Sequence, residues 1–128
     1  MNENGMISIA SRHSVDDTLA RIKQLLAQMG WKLFALIDHG REAANADWPL
    51  REAKLLICGD PRLCASMMFA SPTAALDLPL KLLVWEDADG KVWLTYNSMG
   101  FLRQRHDLPR AMAANHSAID ELAESVAW

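Results

Sequence analysis

Two β-rich runs joined by a short acidic loop constrain the fold of this chain more than any other feature. The runs are Leu80–Trp85 and Lys91–Tyr96, and the loop Glu86–Gly90 between them ends in Asp-Gly. Asp-Gly favours the tight turns that join antiparallel strands, so this stretch predicts a β-hairpin. A hairpin fits a sheet with antiparallel pairing better than it fits a doubly wound parallel sheet.

Helix and strand signals alternate along the rest of the chain. Ser14 is placed as a helix N-cap, apolar residues recur behind it at steps of four and three, and Gly30 is placed to end the helix. Further strands are predicted over Met6–Ala10, Trp31–Ile37 and Lys54–Cys58. Further helical segments are predicted over Arg41–Ala46, Arg62–Ala70, Met99–His106 and Ser117–Ala127. The order β-α-β-(α)-β-α-β-β-α-α predicts an α+β fold.

One of these strands has an unusual pattern. Trp31–Ile37 is apolar on both side-chain parities apart from Lys32. Strands with that pattern are usually buried on both faces, so we expect this strand to be covered on both sides for much of its length.

Chain length, composition and net charge narrow the classes of protein to which this chain can belong. The chain has 128 residues, 51% of them hydrophobic, and a formal charge of −3. We expect one domain over residues 1–128, because a domain usually has about 100–200 residues. The excess of acids argues against a nucleic-acid partner, and the apolar runs reach about half of the roughly 20 residues that cross a membrane.

The termini and the cysteines bear on the compartment. The polar segment Met1–Gly5 lacks the basic and apolar regions of a signal peptide, so we expect a cytoplasmic protein. Cys58 and Cys64 have neither CxxC spacing nor a neighbouring His, so we expect two buried free thiols, no metal site and no cofactor.

Asp38-His39 is the first candidate site. The pair lies where an apolar strand meets a loop, and a carboxylate can orient a histidine for acid–base chemistry or for ligand contact. The structural alternative is that Asp38 caps the following turn and His39 bonds locally. Adjacent residues on a strand point to opposite faces, so the two side chains need not act on one substrate.

Asp77 and Lys81 are the second candidate. An acid within the apolar stretch Ala75–Leu80 must be paired or hydrogen-bonded if it is buried, and Lys81 is its nearest candidate partner in the sequence. Such a pair would serve a ligand site or a structural salt bridge equally well.

Other chemistry-bearing residues have simpler interpretations. The cluster Arg103, Arg105 and His106 is interpreted as a solvated helix face rather than an anion site. Met67, Met68 and Phe69 are interpreted as core residues rather than a pocket lining. No phosphate-binding, zinc-protease or nucleophile-elbow motif is present in the sequence.

Taken in order, several short motifs resemble the domain-of-unknown-function 302 family over about residues 7–106. The motifs are His13-Ser14-Val15, Ile37-Asp38-His39, Gly59-Asp60-Pro61, Met67-Met68, Leu76-Asp77-Leu78-Pro79-Leu80-Lys81, Val84-Trp85-Glu86-Asp87, Gly90-Lys91-Val92-Trp93 and Thr95-Tyr96-Asn97. The resemblance implies a TBP-like fold, in which a curved antiparallel sheet packs on helices, and it implies a homodimer. It implies no activity, and the C-terminal helix over about 117–127 lies outside its most specific motifs.

Two functions follow as hypotheses. The first is a dimeric small-molecule-binding or accessory module, with Asp38, His39, Asp77 and Lys81 as ligand contacts. The second is an enzyme that uses Asp38 and His39 for acid–base chemistry on a small substrate. Neither hypothesis includes a metal, a nucleic acid or a membrane.

Overall fold

Five strands and five α-helices form the described part of the chain, which is residues 4–110 and 117–128 of a computed structural model. The strands are β1 (Met6–Ser11), β2 (Lys32–Asp38), β3 (Ala53–Gly59), β4 (Leu80–Glu86) and β5 (Val92–Asn97). The helices are α1 (Val15–Met29), α2 (His39–Asn45), α3 (Pro61–Ala70), α4 (Met99–Arg105) and α5 (Ala118–Ala127). A short 3₁₀ helix over Pro72–Leu76 links α3 to β4.

All five strands form one antiparallel sheet in the order β1-β5-β4-β3-β2. The predicted hairpin is confirmed, with Leu82 opposite Tyr96 and Glu86 opposite Val92. The predicted α+β class and the predicted order of elements are confirmed as well. Strands β1 and β2 are the two edges of the sheet.

The helix boundaries follow from local chemistry. The Ser14 hydroxyl accepts the Asp17 N–H at 3.1 Å and so satisfies one of the free donors at the start of α1. Gly30 ends α1 in the left-handed conformation, at φ 73°, which glycine adopts without steric cost. The Asp60 side chain caps α3 by accepting the Arg62 N–H at 3.0 Å, and Pro61 is the first residue of that helix.

The core lies between the helices and one face of the sheet. Alternate residues of β3, β4 and β5 are fully buried there, and helices α1 and α5 supply the facing side chains. The sheet residues are Leu56, Cys58, Leu80, Leu82, Val84, Val92, Leu94 and Tyr96. Burying each large aliphatic side chain contributes about 1.5–3 kcal/mol, so this face accounts for much of the stability of the fold.

The expectation that Met67, Met68 and Phe69 are core residues is only partly correct. Met67 is fully buried and Met68 packs against the core, but the Phe69 side chain is 93% exposed. The reason is helical geometry, because three consecutive residues of a helix span about 200° and cannot all face one core.

The expectation that the second strand is covered on both sides is wrong. β2 is an edge strand, and Phe34, Leu36 and Ile37 are each 36–41% exposed. A register shift between Leu33 and Ala35 places Phe34 in a bulge. The helix α2 that follows has no buried residue, so within the described residues this part of the chain covers little of β2.

No helix within residues 4–110 or 117–128 has the length and apolar character needed to cross a bilayer.

Candidate functional site

Asp38 lies at the end of β2 and caps α2. Its Oδ1 accepts the Arg41 N–H at 3.0 Å, and His39 is the first residue of α2 and is exposed. The structural interpretation of Asp38 as a turn cap is therefore what the geometry shows. Whether the pair also contacts a ligand stays a prediction.

The structure does not bring the two predicted pairs together. Asp38 pairs with Lys54 at one end of β3. Asp77 precedes β4, whose first residue Leu80 pairs with Cys58 near the other end of β3. The four residue steps from Lys54 to Cys58 span about 13 Å of strand, so one small substrate would not contact both Asp38 and Asp77.

Asp77 has partners other than Lys81. Its Oδ2 lies 2.5 Å from Nε2 of His106 and 3.4 Å from a guanidinium nitrogen of Arg105. On the other side of the imidazole, Nδ1 lies 3.1 Å from Oγ1 of Thr73. We refer to Thr73, Asp77, Arg105 and His106 as the Asp77–His106 cluster.

Two elements of the fold assemble this cluster. The 3₁₀ helix that ends at Leu76 places Thr73 and Asp77 on one side of the α3–β4 connection, and His106 is the C-cap of α4. The His106 side chain is 5% exposed and that of Asp77 is 14% exposed, whereas Thr73 lies at the surface. The cluster therefore consists of a half-buried carboxylate, a buried imidazole and an exposed hydroxyl in series.

The hydrogen bonds determine the direction of donation. An ionised carboxylate only accepts, so Nε2 of His106 donates to Asp77 when that carboxylate is ionised, and in the neutral ring Nδ1 then presents a lone pair. The Thr73 hydroxyl then donates to Nδ1. A hydroxyl, an imidazole and a carboxylate in series form the arrangement in which a histidine acts as a general base.

His106 is buried, so the prediction that it lies on a solvated helix face is wrong. Met99 and Leu102 are buried on the core side of α4, and His106 follows Leu102 by four residues. That spacing keeps His106 on the same side of the helix, where it is buried. The i, i+3, i+7 pattern was therefore the signal in the sequence that places His106 against the core.

Lys81 lies on the sheet face opposite the core. It stands beside Ile57 of β3, and within the described residues it makes no ion pair. The neighbouring positions on this face are mostly apolar and half-buried. We call them the open sheet face: Leu55, Ile57, Lys81, Leu83, Trp85, Trp93 and Thr95.

The two tryptophans of the open sheet face are held rigidly. Their rings stack with centroids 6.5 Å apart. The Trp85 indole N–H donates to Thr95 Oγ1 at 2.8 Å, and the Trp93 indole N–H donates to Asp87 Oδ2 at 2.9 Å. The bond from Trp93 is the main cause that lowers the pKa of Asp87. Asp87 therefore organises the hairpin loop.

Exposed apolar residues concentrate around β2. Ten large hydrophobic side chains are exposed in the described residues, and five of them lie between positions 34 and 50. We call these five the apolar corner: Phe34, Leu36, Ile37, Trp48 and Leu50. Exposed apolar side chains concentrated in one region of a protein commonly mark an interaction surface.

The two cysteines are free and buried, as predicted. Burial raises the pKa of the Cys58 thiol to about 11, which keeps it protonated and unreactive at neutral pH. In residues 4–110 and 117–128, no three His, Cys, Asp or Glu side chains are grouped closely enough to hold a metal ion.

Comparison with known proteins identifies relatives of the chain. The family model for the domain of unknown function DUF302 matches residues 7–126. A crystal structure of an uncharacterized conserved DUF302 protein from Bacillus stearothermophilus superposes with a TM-score of 0.80 over 96% of this chain and 95% of that one. The two sequences are 14% identical, so this likeness concerns the fold.

The curated relatives are longer than this chain. A protein named fluoride-specific ion channel FluC 1 from Brucella suis biovar 1 is 41% identical over 106 residues, which are 83% of this chain and 42% of that protein. The protein of the same name from Brucella abortus matches to the same extent over 39% of its length. The chain thus spans about two fifths of the length of these relatives.

Proposed function

This chain belongs to the DUF302 family, and from that membership we propose that it is a dimeric binding or accessory module of the cytoplasm. The apolar corner is the observation that carries the proposal. Half of the exposed large apolar side chains of the described residues lie in this one region, on an edge strand and on the segment that follows it.

The relatives support an accessory role. In the Brucella proteins, a segment similar to this chain is joined to a longer remainder within proteins named as fluoride-specific ion channels. A domain that occurs joined to a larger partner is expected to act on or beside that partner. We therefore propose that this chain, too, works in contact with a second protein.

A second copy of the chain is the occupant that we propose for the apolar corner. A two-fold contact uses the same patch on both subunits, so the patch must complement itself in charge as well as in shape. Lys32 and Asp38 stand at the two ends of β2. When two β2 strands lie antiparallel, Lys32 of each copy faces Asp38 of the other.

The bulge at Phe34 determines the kind of contact that we expect. A bulge interrupts the regular row of hydrogen-bonding groups on a strand edge. We therefore expect side-chain packing between the two copies, centred on Phe34, Leu36 and Ile37, rather than one continuous ten-stranded sheet.

Light scattering coupled to size-exclusion chromatography tests this dimer. We expect the native chain to have about twice the mass of the 14.3 kDa monomer and Leu36→Asp to have the monomer mass. Phe69→Asp is the matched control, because Phe69 is equally apolar and more exposed but lies on α3. A monomeric native protein, or equal loss of the dimer in both variants, would refute the proposal.

The ligand and the compartment complete the proposed function. Two buried free thiols fit a reducing compartment, which supports the cytoplasm. A small-molecule ligand at 100 times its dissociation constant should stabilise the domain by about 2.7 kcal/mol, which a thermal-shift screen of metabolites would detect. Of the predicted contacts, Lys81 on the open sheet face and His39 on α2 are accessible to such a ligand.

A further inference from the structure

We infer that the Asp77–His106 cluster activates the Thr73 hydroxyl for acyl transfer from esters or thioesters. This inference is independent of the proposed dimer, because the cluster lies on the α3–β4 connection and α4 rather than on β2. It differs from the enzyme predicted from the sequence, which relied on Asp38 and His39.

The geometry supplies the three groups that an activated nucleophile requires. Thr73 Oγ1 lies within hydrogen-bond distance of an imidazole nitrogen, and the other nitrogen of the same ring lies within hydrogen-bond distance of a carboxylate. The carboxylate fixes the tautomer, so the basic lone pair of His106 points to the hydroxyl.

Exposure to solvent differs among the groups of the Asp77–His106 cluster. His106 and Asp77 are shielded from water, so their interaction is stronger than it would be at the surface. Thr73 is exposed and can meet a substrate, and Nδ1 of His106 is the ring nitrogen that adjoins its hydroxyl.

The reaction balances without a cofactor. Thr73 Oγ1 attacks the carbonyl carbon of the ester, and its proton passes to Nδ1 of His106. When the tetrahedral intermediate collapses, the bond to the alcohol or thiol breaks and that leaving group takes the proton from Nδ1. Water then attacks the acyl-threonine in the same way and releases the carboxylic acid.

Acetylation by p-nitrophenyl acetate tests the inference, with the modified residue located by peptide mass spectrometry. We expect an acetyl group on Thr73 of the native protein, none at that position in Thr73→Ala, and modification of the new hydroxyl in Thr73→Ser. His106→Gln should slow the reaction at Thr73 about 10²–10⁴-fold, because general-base catalysis contributes that factor.

The control is a hydroxyl that lacks the imidazole. Thr95 bonds to Ser8 and to the Trp85 indole, so its hydroxyl should stay unmodified. Circular dichroism should show that Thr73→Ala and Thr73→Ser are folded, since Thr73 is at the surface. An unmodified Thr73 together with p-nitrophenolate release no faster than that of Thr73→Ala, equal modification of Thr73 and Thr95, or an unchanged rate in folded His106→Gln or folded Asp77→Asn would overturn the inference.

Discussion

The chain contains a single tyrosine, and its environment leads to a prediction that can be measured directly. Tyr96 is 4% exposed, and its hydroxyl donates to Asp120 Oδ1 at 2.6 Å. Burial first, and then the bond to Asp120, raise the pKa of Tyr96 well above its ordinary value of 10.0. The folded protein should therefore keep the phenol proton at a pH where the unfolded chain loses it.

The sign and size of the effect follow from this difference. The pKa of Tyr96 is higher in the folded state than its value of 10.0 in the unfolded chain. Its contribution to the free energy of unfolding is therefore constant below pH 10.0 and falls as the pH rises further. A tyrosine that stays protonated in the folded state lowers the free energy of unfolding by about 1.4 kcal/mol between pH 9 and pH 11.

Comparison with Tyr96→Phe isolates this contribution, because other alkaline titrations affect both proteins. At pH 7 the variant should be less stable by about 1.5–3 kcal/mol, since it loses a hydrogen bond to a charged group. Urea unfolding at pH 7, 9, 10 and 11 should show this difference shrinking above pH 10.

Tyrosinate absorbance provides a second readout, because only Tyr96 contributes to it. The folded native protein should show no tyrosinate at pH 10–11, and the signal should rise when urea unfolds the chain. A phenol that titrates near pH 10 in the folded protein, or a stability difference that stays constant from pH 9 to pH 11, would refute the assigned environment.

Three further predictions concern single side chains. Met67→Ala should lower the free energy of unfolding by about 2–5 kcal/mol, because it leaves a cavity in the core. Phe69→Ser should change the free energy of unfolding by less than about 0.5 kcal/mol, because Phe69 is exposed. Urea unfolding measures both differences. Asp38→Ala should cost about 1 kcal/mol because α2 loses its cap, whereas Asp38→Asn should be nearly neutral; a similar loss in both variants would contradict a cap role. Burial raises the pKa of Cys58 to about 11 from 9.0, so stability should decline from about pH 9 upward, and Cys58→Ala should remove that part of the decline in alkaline urea titrations.

Local patterns in the sequence predicted most of the fold. Ser14, Gly30, Asp60 and Pro61 act within a few residues of their own position, so their effect on helix boundaries depends little on the rest of the chain. The hairpin is equally local, because a five-residue loop joins its strands. These signals were sufficient to predict the element order and the α+β class.

The candidate site was predicted less well, because its geometry joins distant segments. Asp77 was correctly predicted to need a partner, but the partner lies 29 residues away in His106 rather than four residues away in Lys81. Sequence proximity could not distinguish these two candidate partners, since the packing of α4 against the α3–β4 connection decides which one is near. The Thr73 hydroxyl has no signal in the sequence at all.

The sequence by itself determined where strands and helices begin and end, because capping, turn chemistry and apolar periodicity act over short distances. The tertiary structure alone decided which strand lies at an edge of the sheet. The apolar run of β2 was expected to be a buried strand, but at the edge its side chains form an exposed surface. It also alone decided that Asp77 meets His106. In both cases the reason is physical: an apolar side chain needs cover from water and a buried polar side chain needs a partner, but neither need specifies which part of the chain, or which other chain, provides it.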